Sequence, residues 1–124
     1  DQPSVWEMTV KSWINGPLPE QGPLKAGVAQ IHGVAFGGMH AVKGVEVSVD
    51  GGQTWRAAQL VGPDLGRFAW RQFVLPVRLG AGTYVLASRA TDMAGNVQAQ
   101  QREENVGGYN NASWNDHAVT VTVA

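Results

Sequence analysis

No cysteine occurs among the 124 residues. Disulfides, thiolate metal sites, a cysteine nucleophile, c-type haem attachment and any cofactor held through a cysteine sulfur are thereby excluded, while the redox compartment stays open. Charge is scarce too: charged residues make up 15% of the chain and the formal net charge is −1. Such a balance leaves no electrostatic footprint for nucleic acid or an acidic membrane surface, so neither is expected as a partner. No apolar run is long enough to cross a bilayer as a helix. No stretch of any length carries a helical period, and no internal repeat is visible.

What the chain does have is turn chemistry and apolar residues. Sixteen glycines and six prolines stand beside a hydrophobic share of 44%. That share is ordinary for a globular core, and the length suits one domain spanning residues 1–124. Because the chain begins at Asp1, it is expected to be a piece of something longer.

The organising stretch is Val45–Arg56. Val45, Val47 and Val49 alternate with Glu46 and Ser48, the period of a half-buried strand. Asp50-Gly51-Gly52 tolerates positive φ and turns the chain, and Trp55 opens the return strand. Ser48, Asp50, Gly52, Thr54 and Trp55 together form the hairpin cassette called an Asp-box. Asp50 is expected to bond the turn's N–H groups and Thr54 to bond across it. The role is structural, which accounts for Asp50 without catalysis.

Other strands follow from alternation. Val5–Ile14 is an extended edge segment, and a connection with three prolines follows it. Gly27–Phe36 is a strand with Val28, Ile31, Val34 and Phe36 as apolar candidates and a bulge near Gly33. Trp55–Val61 is the return strand of the hairpin. Arg67–Val77 is apolar, and Pro76 within it suggests an edge or bulge. Thr83–Thr91 is the clearest strand, with Tyr84, Leu86, Ser88 and Ala90 on one side. Asp92-Met93-Ala94-Gly95-Asn96 is a turn, 98–115 a long polar loop, and Ala118–Val123 the last strand. About seven short strands with turns between them predict an all-β fold, an immunoglobulin-like antiparallel β-sandwich. Tyr84 occupies the tyrosine-corner position, its hydroxyl expected to tie down the preceding loop.

Catalytic chemistry is not legible. His32, His40 and His117 do not fall at metal-ligand spacing, and no acidic cluster adjoins them, so no metal site is expected. Glu103-Glu104 beside Arg102 fits a solvated face. Ser48, Ser88 and Ser113 lack a nucleophile elbow. No catalytic residue is therefore assigned. The unusual feature is aromatic: Trp6, Trp13, Trp55, Trp70 and Trp114 exceed what one small core easily holds. Some belong in a contact surface or cover the ends of the sandwich.

The order of motifs carries a resemblance. Gly33-Val34-Ala35-Phe36-Gly37-Gly38 precedes the hairpin. Trp70 and Phe73-Val74-Leu75-Pro76-Val77 follow it, then Ser88-Arg89-Ala90-Thr91-Asp92 and Gly95-Asn96-Val97-Gln98. Gly108-Tyr109-Asn110-Asn111, Trp114 and His117-Ala118-Val119-Thr120-Val121 close the series. This resembles the C-terminal dimerisation domain of the sulfite oxidase family of molybdenum oxidoreductases, in its bacterial sulfite and sulfane dehydrogenase form. The resemblance implies a sandwich joined to a molybdopterin-binding catalytic domain, with residues 1–7 as the linker from it. That missing domain would carry molybdopterin and a cysteine ligand to molybdenum, and no cofactor would be bound by this chain. The implied function is non-catalytic: dimerisation and scaffolding in an enzyme that oxidises sulfite or related sulfur compounds. A homodimer, a c-type cytochrome as electron acceptor and a periplasmic location are implied as well. Animal members offer an arginine toward the substrate from the loop before the last strand. Asn105-Val106-Gly107-Gly108-Tyr109 has none here, and the resemblance instead puts Tyr109, Asn110, Asn111 and His117 next to the substrate pocket. The rival reading is a free-standing immunoglobulin-like module binding protein or carbohydrate through its tryptophans.

Overall fold

The structure, a computed structural model, describes residues 10–66, 69–99, 103–105, 108–110, 113–114 and 117–124. Two antiparallel four-stranded sheets face each other. One runs β1 (Lys11–Gly16), β2 (Gly27–Phe36), β6 (Trp70–Leu79), β5 (Gln59–Val61) across its width. The other runs β10 (Val119–Val123), β7 (Gly82–Asp92), β3 (Val42–Ser48), β4 (Arg56–Ala57). A separate two-stranded ribbon pairs β8 (Glu103–Asn105) with β9 (Gly108–Asn110). This is the expected all-β sandwich.

Alternation decides what each strand buries. Ile31, Ala35, Phe73, Val77 and Leu79 point inward from the first sheet, and Val45, Val47, Leu86, Ala90, Val121 and Val123 from the second. Phe73, Ile31, Leu86 and Val47 are the largest apolar side chains with almost no exposure. On the general scale of about 1.5–3 kcal/mol per fully buried large apolar side chain, these positions hold the two sheets together.

Several local expectations shift. The segment Trp55–Val61 is not one strand: β4 pairs with β3, the Ala58 N–H donates to the Val45 carbonyl at 2.8 Å, and β5 then pairs with β6 in the opposite sheet. The chain changes sheets there, as strands do at sandwich corners. That division gives the sandwich eight strands where the sequence suggested about seven. The irregularity foreseen at Gly33 lies in β1 instead, between Ile14 and Gly16, opposite Gly33 and His32. The β2–β6 ladder runs unbroken through Gly33↔Phe73. Gly33 takes an inward slot without a side chain because a Cβ there would strike the Phe73 ring and the Trp13 carbonyl. That empty slot made the period look slipped. Val28, at 60% exposure, belongs to the outer face.

Pro76 sits in a central strand, yet past the end of β5, whose pairing stops at Gln59↔Val74. Only β2 flanks it, so its missing N–H interrupts no second ladder. The polar stretch after Gln98 holds the β8–β9 hairpin where an irregular loop was expected. The connection before β2 contains the cis Gly16–Pro17 bond and a short 3-10 turn at Pro19–Gln21. It then lies along β10, where the Leu24 N–H donates to the Thr122 carbonyl at 2.9 Å and the Ala124 N–H to Leu24 at 2.9 Å. This covers the edge of the second sheet, which would otherwise be open to pairing.

Tyr84 behaves as a tyrosine corner. Its hydroxyl donates to the Gly80 carbonyl at 2.9 Å and pins the turn between β6 and β7.

Candidate functional site

The Asp-box forms as its residues require. The Ser48 hydroxyl donates to Asp50 Oδ1 at 2.7 Å and accepts the N–H groups of Asp50 at 3.2 Å and Gly52 at 2.8 Å. Asp50 Oδ1 also accepts the N–H groups of Gln53 at 3.0 Å and Thr54 at 2.9 Å, while Oδ2 accepts the Thr54 hydroxyl at 2.6 Å. The Thr54 hydroxyl, then Ser48 and the backbone donors, hold the Asp50 carboxyl well below the usual carboxylate range. An acceptor so fully engaged is a fixed turn anchor, and proton transfer would break the turn. Gly52, with φ of 96°, lies against Trp114, which is only 5% exposed. Trp55 meets Trp114 edge-on at 5.0 Å, and the Arg89 guanidinium lies 4.1 Å from the Trp55 ring centre while Nη2 reaches Glu46 at 2.6 Å. Two of the tryptophans thus seal the hairpin.

The turn after β7 repeats the same logic. Asp92 Oδ1 accepts the N–H groups of Ala94 and Asn96, both at 2.9 Å, and Oδ2 accepts the Asn96 side-chain amide at 2.9 Å. Burial pushes this carboxyl up, but those bonds and the nearby His40 outweigh it and hold it down.

A polar cluster missed in the sequence locks the two sheets together where β1 meets β7. Gln98, 2% exposed, accepts the Ser12 hydroxyl at 2.7 Å and the Ala90 N–H at 3.1 Å on Oε1, and its Nε2 donates to the Ser12 carbonyl at 3.1 Å. Since Ser12 spends its single proton on Gln98, Ser88 donates to Ser12 across 2.7 Å. Ser88 is therefore a structural hydroxyl. Nothing local marks Gln98: it is one glutamine after a turn, and only the fold brings it to Ser12.

A second aromatic group lies on the outer face of the first sheet. Trp70 contacts Trp13 edge-on at 5.2 Å and Phe36 at 5.0 Å, and Lys11 Nζ is 5.3 Å from the Phe36 centroid. Trp70 remains 46% exposed. His117 joins the group through Trp13, ring to ring at 5.6 Å, and lines a cleft of about 390 Å³ with Trp13, Ile14, Ala118 and Val119. Trp6 lies outside the described residues.

Of the residues assigned to a pocket by resemblance, Tyr109 and Asn110 fall on β9, opposite Glu104 and Glu103. His117 has its own seat beside Trp13, and Asn111 lies outside the described residues. His32 is on β2 and His40 in the turn before β3. Among the described residues, no three His, Cys, Asp or Glu gather where a metal ion could be held.

A rigid sandwich with a sealed hairpin, a pinned corner and one aromatic outer face is an immunoglobulin-like interaction domain. Comparison with known proteins makes the class specific. The chain belongs to the Mo-co oxidoreductase dimerisation domain family, whose model matches residues 2–123. It is 36% identical to chicken (Gallus gallus) sulfite oxidase over 101 residues, covering 77% of this chain and 22% of that protein. Human mitochondrial sulfite oxidase is 37% identical over 102 residues, covering 77% of this chain and 18% of that one. The sulfane dehydrogenase SoxCD of Paracoccus pantotrophus superposes with a TM-score of 0.75 at 30% identity, over 94% of this chain and 33% of that chain. The chain thus spans about a fifth of the length of these curated relatives.

The chain supplies no cysteine ligand for a molybdenum cofactor. Among its described carboxylates, Asp50 and Asp92 are engaged by their turns and Glu46 by Arg89.

Proposed function

We propose that this chain is the dimerisation and scaffold domain of a sulfite-oxidase-like molybdenum oxidoreductase, and that it performs no chemical step itself. One observation carries the reading: the match to the dimerisation-domain family runs from residue 2 to residue 123 and so takes in the whole sandwich. A molybdopterin-bearing catalytic domain adjoins it, with residues 1–7 as the link. The parent enzyme oxidises sulfite or a related sulfur compound, passes electrons to a c-type cytochrome and works in the periplasm. The likeness to SoxCD supports the sulfur chemistry and the bacterial setting. Tyr109, Asn110, Asn111 and His117 border the substrate pocket from this side. The cleft beside His117 and Trp13 supports that placement. The rival module has less support, because four tryptophans divide into two separated groups instead of one sugar-stacking platform.

The test is deletion. The complete protein and a version lacking this domain are compared by light scattering and by sulfite-dependent reduction of cytochrome c. The complete protein is expected to be an active dimer and the truncated one a monomer with depressed turnover. A truncated protein that stays dimeric and fully active refutes the reading.

A further inference from the structure

Two places in the sequence set an asparagine or aspartate directly before a glycine: Asn15-Gly16 and Asp50-Gly51. Glycine has no Cβ, so its backbone nitrogen is the least shielded toward the side-chain carbonyl before it. The fold treats the two pairs in opposite ways. Asp50 is spent on its turn: Oδ1 accepts the Ser48 hydroxyl and the N–H groups of Gln53 and Thr54, and Oδ2 accepts the Thr54 hydroxyl. Its carboxylate is not free to turn on Gly51. Asn15 is exposed, and among the described residues no hydrogen bond engages its amide. Its backbone is released as well. Ile14 pairs with Gly33 and Gly16 with His32, which are neighbours on β2, so Asn15 is the extra residue of the bulge and stands outside the ladder. β1 is also the edge of its sheet, so no second strand holds the bulge from the other side. Packing fixes the glycine, because a Cβ at Gly16 would strike Nε2 of His32. The contact with the His32 ring thus selects the residue that leaves Asn15 most open to attack.

We infer that Asn15 is a self-modification site, converted through a cyclic imide with Gly16 into aspartate and isoaspartate. The inference stands apart from the dimerisation reading. In the first step the Gly16 backbone nitrogen attacks the side-chain carbonyl carbon of Asn15. A carbon–nitrogen bond forms, the bond to the amide nitrogen breaks, and that nitrogen leaves as ammonia with the proton from Gly16. Water then opens the five-membered ring at either carbonyl, giving the two acids, and no oxidant or reductant takes part. The products change this edge in two ways. None of the strands β1, β2, β5 and β6 contains an aspartate or glutamate, so the new carboxylate is the first acid among them. It stands in a cleft of about 190 Å³ that Asn15 shares with His32 and Gln72. Isoaspartate also routes the main chain through the side-chain carbon, which adds a backbone atom to the strand whose Ser12 bonds the buried Gln98.

The test is incubation of the folded chain in neutral buffer made with oxygen-18 water, its β-sheet circular dichroism spectrum retained throughout. Trypsin in ordinary water then releases Ser12–Lys25, in which Asn15 is the single asparagine. Mass spectrometry is expected to find the amide exchanged for an acid carrying one oxygen-18 atom, and chromatography to resolve both the aspartate and the isoaspartate peptide. The rate in the folded chain is expected to lie within about tenfold of that of the same peptide free in solution, a barrier difference of about 1.4 kcal/mol or less. Slower conversion than that shows that the bulge protects Asn15 and overturns the inference. Aspartate without isoaspartate overturns the route through Gly16. The Asn15→Gln chain is expected to yield an unlabelled peptide, and label in it would move the reaction to another residue and overturn the assignment.

Discussion

Replacing Gln98 by methionine tests whether the cluster at the β1–β7 junction is a lock or a passenger. The substitution nearly conserves volume, so packing changes little. What it removes is one buried amide with three bonds to Ser12 and Ala90. The Ser12 hydroxyl still has Ser88 within reach at 2.7 Å and can turn to it. The Ala90 N–H and Ser12 carbonyl lose the amide that met them in a region sealed from water. An unsatisfied buried polar group costs about 1–3 kcal/mol, so two give about 3–4 kcal/mol after partial relaxation. Against a typical domain stability of about 5–15 kcal/mol this is a large fraction, and for a domain of this size it lowers Tm by roughly 10–15 °C. Urea unfolding followed by tryptophan fluorescence measures it. Ser12→Ala should cost less, about 1–2 kcal/mol, and the double variant should fall short of the sum because the two side chains share bonds. A Gln98→Met change below about 0.5 kcal/mol, or strict additivity with Ser12→Ala, would show that the cluster contributes nothing as a unit.

Three further outcomes are expected. Gly52→Ala combines a φ of 96° with overlap on the Trp114 ring, whereas Gly51, φ 74°, has Val85 no closer than 3.9 Å; thermal melts should show Gly51→Ala costing about 1 kcal/mol and Gly52→Ala at least twice that. Asp50 has a depressed carboxyl in the folded state, so its contribution is full above the unfolded value of about 4 and is lost as pH falls below it; melts at descending pH should show wild type losing an increment that Asp50→Asn has already lost at neutral pH. Tyr84→Phe removes the bond to the Gly80 carbonyl and should cost about 1 kcal/mol in urea unfolding, with the near-ultraviolet spectrum otherwise preserved.

The sequence by itself determined what depends on neighbours along the chain. Apolar patterning between turn residues placed β2 at Gly27–Phe36 and started the last strand one residue early, at Ala118. The Asp-box was visible because the side-chain bonds of Ser48, Asp50 and Thr54 all span four residues or fewer. Tyr84 was legible for the same reason, its acceptor lying four residues back. Absences were equally firm: without cysteine, no rearrangement of strands creates a thiolate. The tertiary structure alone decided whatever depends on which strands meet. Gln98 finds Ser12 across 86 positions, Trp114 lands on Gly52, and β5 leaves its hairpin to join the other sheet. Whether an alternating strand turns its apolar residues to the core or to a partner is also invisible in one strand, because period two fixes two faces without saying which is inside. Val28, Ile31, Val34 and Phe36 stood as one set of apolar candidates for that reason, and pairing with β1 and β6 turned Ile31 to the core and the other three to the outer face.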